Sequence, residues 1–361
     1  MGFESFLGNP LAVQTVRQML AKERVPGALI FSGPEGVGKK TLAVMFAKAL
    51  NCERRKPDGD DFCGECAHCR KVDEMIQGAR EDLERRRQIK EAGRRAEGLI
   101  YFDVQLIEPI TRYILVEQIR RLRVTAASRP FELPRNVYLI DPAQAIHWQA
   151  VDLLLKVLEE PPATAAFILI CPNAGELRAT LRSRCQRVRF LPVEDPIIAR
   201  LLREGKRSGR EEMELAVRLA EGSIARAKAL DLEDYRRRRQ AWVDYIEALA
   251  VAPETGPPDW SRLFDATRTI GRERGEFEAA LHIGYTLLRD LSEALTGRVE
   301  GVSNLDLLPR LKAWSSRLGF RNIARLKEGL DEAYRLQIRN VNPQMGLDAL
   351  AVEAAESSPR G

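Results

Sequence analysis

Through the first half of the chain, apolar residues switch between two spacings. Short unbroken runs, Ala28-Leu29-Ile30-Phe31, Asn136-Val137-Tyr138-Leu139-Ile140 and Phe167-Ile168-Leu169-Ile170-Cys171, have the length and β-branched content of strands buried on both faces. Residues 99–107 (LIYFDVQLI) read as a further strand. Between these runs the spacing becomes helical. Leu11, Val13, Val16, Met19 and Leu20 form one stripe after a Gly8-Asn9-Pro10 start, residues 42–50 a second, and Val116, Ile119, Leu122 and Val124 a third. A fourth helix, 151–160, stops at Pro161-Pro162. Strand and helix alternating up to residue 192 predict an α/β core with a mostly parallel sheet covered on both faces. Past Leu191-Pro192 the strand signal fades. Residues 193–232 read as a small helical lid, and 233–361 as an all-α domain of five or six helices broken at 253–258, 271–275, 297–301 and Gly319, with 357–361 as a frayed tail.

The stretch GPEGVGKKT, residues 33–41, falls between the first strand and the second helical stripe. It is a phosphate-binding loop with one substituted position. In G-x-x-x-x-G-K-[ST], glycines let backbone N–H groups curl around phosphate oxygens, a Lys reaches the β/γ-phosphates, and the next hydroxyl ligates Mg²⁺. Gly33, Gly36, Gly38 and Lys39 supply the cradle, but Lys40 stands where the hydroxyl belongs. Thr41 cannot replace it, because one step along a helix turns the side chain by about 100°. The strand 136–140 ends in Asp141, as a Walker B strand does, yet the next residue is Pro142 rather than a carboxylate able to orient water. Nucleotide binding and hydrolysis are therefore separate questions. Mg²⁺ is not expected at this loop, and Lys39, Lys40 and the loop amides offer at most a metal-free hold on phosphate.

Cys52, Cys63, Cys66 and Cys69 follow the loop's helix as C-x10-C-x2-C-x2-C within a polar stretch, a module spanning about residues 52–69. Four thiolates at such steps can enclose one tetrahedral Zn²⁺ with no open coordination position. An iron–sulfur or redox use, and unliganded thiols, are the alternatives. His68 reads as a bystander, and Cys171 and Cys185 as apolar fillers. Residues 80–97 mix basic and acidic side chains and read as a solvated helical insertion, with nucleic-acid contact as the rival; Arg236 to Arg239 pose the same choice. The net charge of +5, from 57 basic and 52 acidic residues among 361, permits work beside nucleic acid without requiring it. No run approaches eighteen apolar residues, so no membrane partner is expected. The start, MGFESFLGNP, lacks a basic and then apolar leader, which leaves the cytoplasm as the expected compartment.

Taken together, these stretches resemble the bacterial clamp-loader AAA+ proteins of DNA polymerase III along nearly the whole chain. The four-Cys insert after the P-loop helix is similar to that family's zinc module. Residues 153–162 (LLLKVLEEPP) look like its LLK-x-LEEPP segment, Ser183-Arg184-Cys185 like its SRC motif, and Asn340-Val341-Asn342-Pro343 like the start of its last collar helix. The departures, Lys40, Asp141-Pro142 and Cys171-Pro172-Asn173 at the sensor-1 position, resemble the δ′ branch rather than the hydrolysing γ/τ branch. In the lid, Arg226, the candidate sensor 2, comes three residues after Ser223 where γ/τ proteins would place it after two. The resemblance implies a non-hydrolysing ring member with no ATPase of its own, acting within a polymerase holoenzyme. Arg184 would serve in trans as an arginine finger on a neighbour's nucleotide. The implied partners are γ/τ and δ subunits in a hetero-pentamer, with the sliding clamp and primed DNA reached through the complex. A working γ/τ-like ATPase and a zinc-bearing DNA-binding protein are the competing functions.

Overall fold

The computed structural model describes residues 2–55, 59–91, 95, 98–100, 102–205, 209–250, 259–271, 277–338 and 342–356. Among these residues, five parallel strands form one sheet: β1 (Ala28–Ser32), β2 (Val104–Ile107), β3 (Asn136–Ile140), β4 (Ala165–Cys171) and β5 (Gln186–Arg189), in the order β2-β3-β4-β1-β5. Every residue of β1, β3 and β4 is buried, as a sheet covered on both faces requires. Tyr138 stacks on Phe167 across β3 and β4 with ring centroids 5.1 Å apart, a contact worth about 0.5–1.5 kcal/mol beyond its buried area. The covering helices are α1 (Pro10–Ala21), α2 (Lys39–Asn51), α3 (Ala67–Gln88), α4 (Val116–Ala127), α5 (Val151–Glu159) and the short α6 (Ala179–Arg182).

Several expectations need correction here. In α1 the buried stripe is Ala12, Val16, Met19 and Leu20, while Leu11 is 70% exposed; in α4 it is Gln118, Ile119, Leu122 and Ala126, while Val124 is 66% exposed. Apolar character alone misassigned both faces, because a 100° step per residue admits alanine or glutamine to the core side as readily as leucine. The strand expected over 99–107 begins only at Val104. Asp103 is diverted, its carboxylate accepting the N–H groups of Phe131, Glu132 and Leu133 at 2.9, 2.6 and 2.8 Å. The charged stretch 80–97 is no separate insertion at its start, since 80–88 completes the 22-residue helix α3 that begins beside Cys66. Arg86 is buried on it, paired with Asp82 and donating to the carbonyls of Arg95 and Gly98. Residues 92–94 and 96–97 lie outside the described residues, as does the 340–341 part of the expected Asn-Val-Asn-Pro signature.

After the core come α7 (Asp195–Glu204), α8 (Arg210–Ala220) and α9 (Ile224–Ala229), then α10 (Leu232–Ala250), α11 (Trp260–Ile270), α12 (Phe277–Leu295), α13 (Leu308–Ile338) and α14 (Pro343–Glu356). Helix α13 is broken at Gly319, whose φ of 67° is left-handed, so among the described residues α10 to α14 are five helices, or six segments when that break is counted. The chain divides into two compact units, the described residues of 1–200 with 221–226, and those of 201–220 with 227–361. The second unit packs Trp242, Tyr245, Leu287, Leu291 and Leu330 into its interior. A polar node also lies inside it. Buried Asp290 accepts the N–H groups of Ser303 and Asn304 at 2.8 Å, and the Asn304 Oδ1 accepts from Tyr235 and Arg239 at 3.0 and 2.7 Å. Arg239, from the basic run, is thus interior: it is 7% exposed and forks onto Asp306. No described helix is long and apolar enough to cross a membrane.

Candidate nucleotide loop and metal centre

All five strands run the same way, so their carboxyl ends gather along one edge of the sheet, where parallel α/β folds place ligands. Gly33 leaves the end of β1 and the loop closes at Gly38, the N-cap of α2. Gly36 has φ +73°, and a Cβ there would meet the Ser223 hydroxyl at 2.0 Å. Gly38 has φ +98°, and its Cβ would meet the Phe6 ring at 2.8 Å. Both positions need glycine for backbone reasons and for space. Residues 221–226 also meet this loop, with the Ala225 N–H donating to the Gly36 carbonyl at 3.1 Å.

Lys39 is buried, and its Nζ donates to the Gly33 and Pro34 carbonyls at 2.6 Å each. Burial pulls its pKa down, with Asp141 acting in the opposite sense. Lys40 points to the ends of β2 and β3. Its ammonium contacts Glu108 and lies 2.8 Å from Asp141. Burial opposes that charge, but hydrogen bonds to Asp141 and Glu108 outweigh it and hold the Lys40 pKa above the usual lysine value. Thr41, one step on, is exposed and faces away, as the helical turn requires. Just past β4, the Asn173 side chain accepts the Gly175 N–H at 2.8 Å and so caps the following turn.

Glu108 is the residue that sequence reasoning missed. The signal was present: β2 and β3 end alike, Leu106-Ile107-Glu108-Pro109 and Leu139-Ile140-Asp141-Pro142. Because Ile107 and Ile140 are register partners, the acids that follow them become neighbours.

Arg184 sits in the turn between α6 and β5, its side chain 34% exposed. The guanidinium donates to Glu159 at 2.6 Å and to the Thr180 carbonyl at 3.0 Å, so the SRC and LEEPP segments, 25 residues apart, meet. Arg226 pairs with Glu221, five residues earlier. Cys185 is half-buried against the core, and burial pushes its thiol up to about 12; Cys171 is fully buried, with its thiol at about 11 for the same reason.

The four clustered cysteines converge. Their Sγ atoms all lie within 4.8 Å of one another, with Cys52 Sγ 3.6 Å from Cys63 and 3.9 Å from Cys66. Tetrahedral Zn–S bonds of about 2.3 Å would separate ligand sulfurs by about 3.8 Å, so the set fits a single ion without rearrangement of the fold. Backbone N–H groups point at sulfur, Cys66 to Cys63 at 3.3 Å and Cys69 to Cys66 at 3.4 Å. Burial resists ionising the Cys66 thiol, but the Cys69 N–H and the neighbouring thiols prevail and bring it down to about 6; burial drives Cys69 the other way. His68 stays outside the cluster, with Nδ1 2.9 Å from the Asn51 carbonyl oxygen and Nε2 3.1 Å from Glu53.

Comparison with known proteins gives the family. The family described as DNA polymerase III, delta subunit, matches residues 8–194, just over half of the chain. DNA polymerase III subunit tau of Bacillus subtilis (strain 168) is 31% identical over 188 residues, covering 52% of this chain and 29% of that protein. Subunit tau/gamma of Haemophilus influenzae is 28% identical over 233 residues, covering 59% of this chain and 30% of its own. The chain thus spans about three tenths of the length of these two relatives. DNA polymerase III subunit delta′ of Bacillus subtilis is 23% identical over 361 residues, covering 96% of both chains. Among solved structures, a DNA polymerase III gamma subunit-related protein of Thermotoga maritima aligns with a TM-score of 0.45 at 17% identity, over 96% of this chain and 100% of that one.

Proposed function

This chain belongs to the DNA polymerase III, delta subunit, family, and from that premise we propose that it is a δ′-like subunit of a clamp loader, a ring member that hydrolyses no ATP itself. The observation that carries the proposal is the Lys40 ammonium, bound to Glu108 and Asp141 where a metal-ligating hydroxyl belongs. Phosphoryl transfer to water needs Mg²⁺ and an oriented nucleophile. Lys40 and Pro142 replace the residue types that would supply both. The degenerate loop of Gly33, Gly36, Gly38, Lys39, Lys40 and Thr41, with Asp141 and Arg226 nearby in the chain's design, is then a scaffold.

Arg184 is the residue we assign to catalysis in the neighbouring subunit. A guanidinium supplied in trans neutralises charge on the transferring phosphoryl group and is worth about 10³–10⁵ in rate in related NTPases. It is held at the surface by half-exposed Glu159 and the Thr180 carbonyl, where a phosphate can take the place of that carboxylate. Arg184→Ala, in a complex reconstituted with γ/τ- and δ-type subunits, should leave assembly intact and lower DNA-stimulated ATPase at least about tenfold, a far smaller loss than that range allows. An unchanged ATPase would sink the role.

The partners are γ/τ and δ subunits in a hetero-pentamer held by the helical domain, with the clamp and primed DNA engaged through the complex in the cytoplasm. Cys52, Cys63, Cys66 and Cys69 hold one structural Zn²⁺, which supplies cross-linking rather than chemistry. The 31% identity to tau favours one competing function, a hydrolysing γ/τ-like subunit. Mg²⁺-dependent ATP hydrolysis by the purified chain, abolished by Lys39→Ala, would establish that instead.

A further inference from the structure

Strand pairing sets Glu108 and Asp141 beside each other at the carboxyl edge of the sheet, each side chain only 18% exposed. Two carboxylates so placed repel one another and demand a cation. In an ordinary P-loop protein the hydroxyl after the conserved Lys and the Walker-type Asp meet that demand with Mg²⁺. Here Lys40 lies between the two acids, touching Glu108 and 2.8 Å from Asp141. An ammonium carries three donors on a flexible stem, so one group can serve both carboxylates. Lys39 and Lys40 against Glu108 and Asp141 are two positive and two negative charges, a formal sum of zero. A divalent ion entering this edge would have to displace an ammonium already bonded to both acids, and Mg²⁺ sheds its own water reluctantly.

We propose, building on the non-hydrolysing reading of this loop, that Lys40 is a resident cation that stands in for the divalent metal and excludes it, so that a phosphate ligand entering the loop is bound metal-free. Lys40 is then the residue that sets metal specificity. Removing its ammonium turns the acid pair into an oxygen-ligand site for a hard divalent cation.

The test uses the full-length chain and Mn²⁺ alone as probe, free Mn²⁺ being read by electron paramagnetic resonance with no nucleotide present. Lys40→Ala should take up one Mn²⁺ per chain beyond wild type, and adding Asp141→Asn should abolish that gain. Equal uptake by wild type and a folded Lys40→Ala chain overturns the proposal. Lys40→Met, which keeps most of the stem's packing, is titrated alongside and judged by the same outcome should the alanine variant not fold. In a second arm, ADP and ATP are titrated onto wild type in EDTA and in millimolar Mg²⁺. Affinities within about twofold of each other are expected, and binding tightened by about tenfold or more in Mg²⁺ overturns the proposal. No binding in either buffer removes the phosphate-site reading of the loop, while metal exclusion is decided by the Mn²⁺ arm.

Discussion

The two ends of helix α2 pose the same electrostatic problem and answer it differently. At its N-terminus, Glu108 and Asp141 are brought together by strand register and are met by Lys40, a cation attached to the chain. Immediately past its C-terminus, Cys52 joins Cys63, Cys66 and Cys69 within 4.8 Å, and the cation that suits four sulfurs must come from solution. A tethered ammonium is always present, monovalent and indifferent to chelators. A metal centre binds more strongly, but its contribution to folding disappears with the ion and depends on pH, because the thiols must lose protons. The helix positive end adds to the contrast, since Lys39 and Lys40 load a first turn that favours anions, and the two carboxylates offset them.

The largest effect is expected at the cysteines. Structural zinc supplies on the order of 10 kcal/mol of binding free energy at neutral pH. Cys66→Ser should therefore lose the bound metal and lower the Tm by roughly 10 °C or more, at about 2–4 °C per kcal/mol, with zinc content measured on the same samples. A chelator should reproduce the effect in wild type. The N-terminal end of α2 should ignore the chelator and respond to a smaller change. Glu108→Gln keeps shape but removes a charge from a bond to Lys40, a loss of about 1–3 kcal/mol, read as a lower urea midpoint at unchanged zinc content. The smallest effect belongs to His68→Ala. It gives up a hydrogen bond to the Asn51 carbonyl and a partly exposed contact with Glu53, worth about 0.5–1.5 kcal/mol, and should retain all of the zinc. Zinc lost on His68→Ala would show that the module does not end at its four sulfurs.

Local chemistry explains how much could be read from the chain. The runs that became β1, β3 and β4 are apolar apart from Ser32 and Asn136, so burial on both faces was their stable use. Glycines at 33, 36 and 38 before a lysine, and Cys63, Cys66 and Cys69 with two residues between each pair, carry their geometry in their spacing. Charged residues were read less well. Arg86 and Arg239 stand in stretches that look solvated, yet both are buried, because distant partners, the carbonyls of residues 95 and 98 in one case and Asn304 and Asp306 in the other, satisfy them. No pattern around either arginine names those partners.

Spacing along the chain was enough for the alternation of strand and helix as far as β4, the glycine-rich loop with Lys40 at the hydroxyl position, and the grouping of Cys52, Cys63, Cys66 and Cys69. These features depend on residues close in the chain, the eleven positions from Cys52 to Cys63 being the widest step, so backbone geometry carries much of their spacing into direction. Folding alone brings Glu108 to Asp141, Lys40 to both, Glu159 to Arg184 and Ala225 to Gly36. These contacts span 25 to 189 residues of chain, and what sets them is sheet register and helix packing, which no local stretch encodes alone.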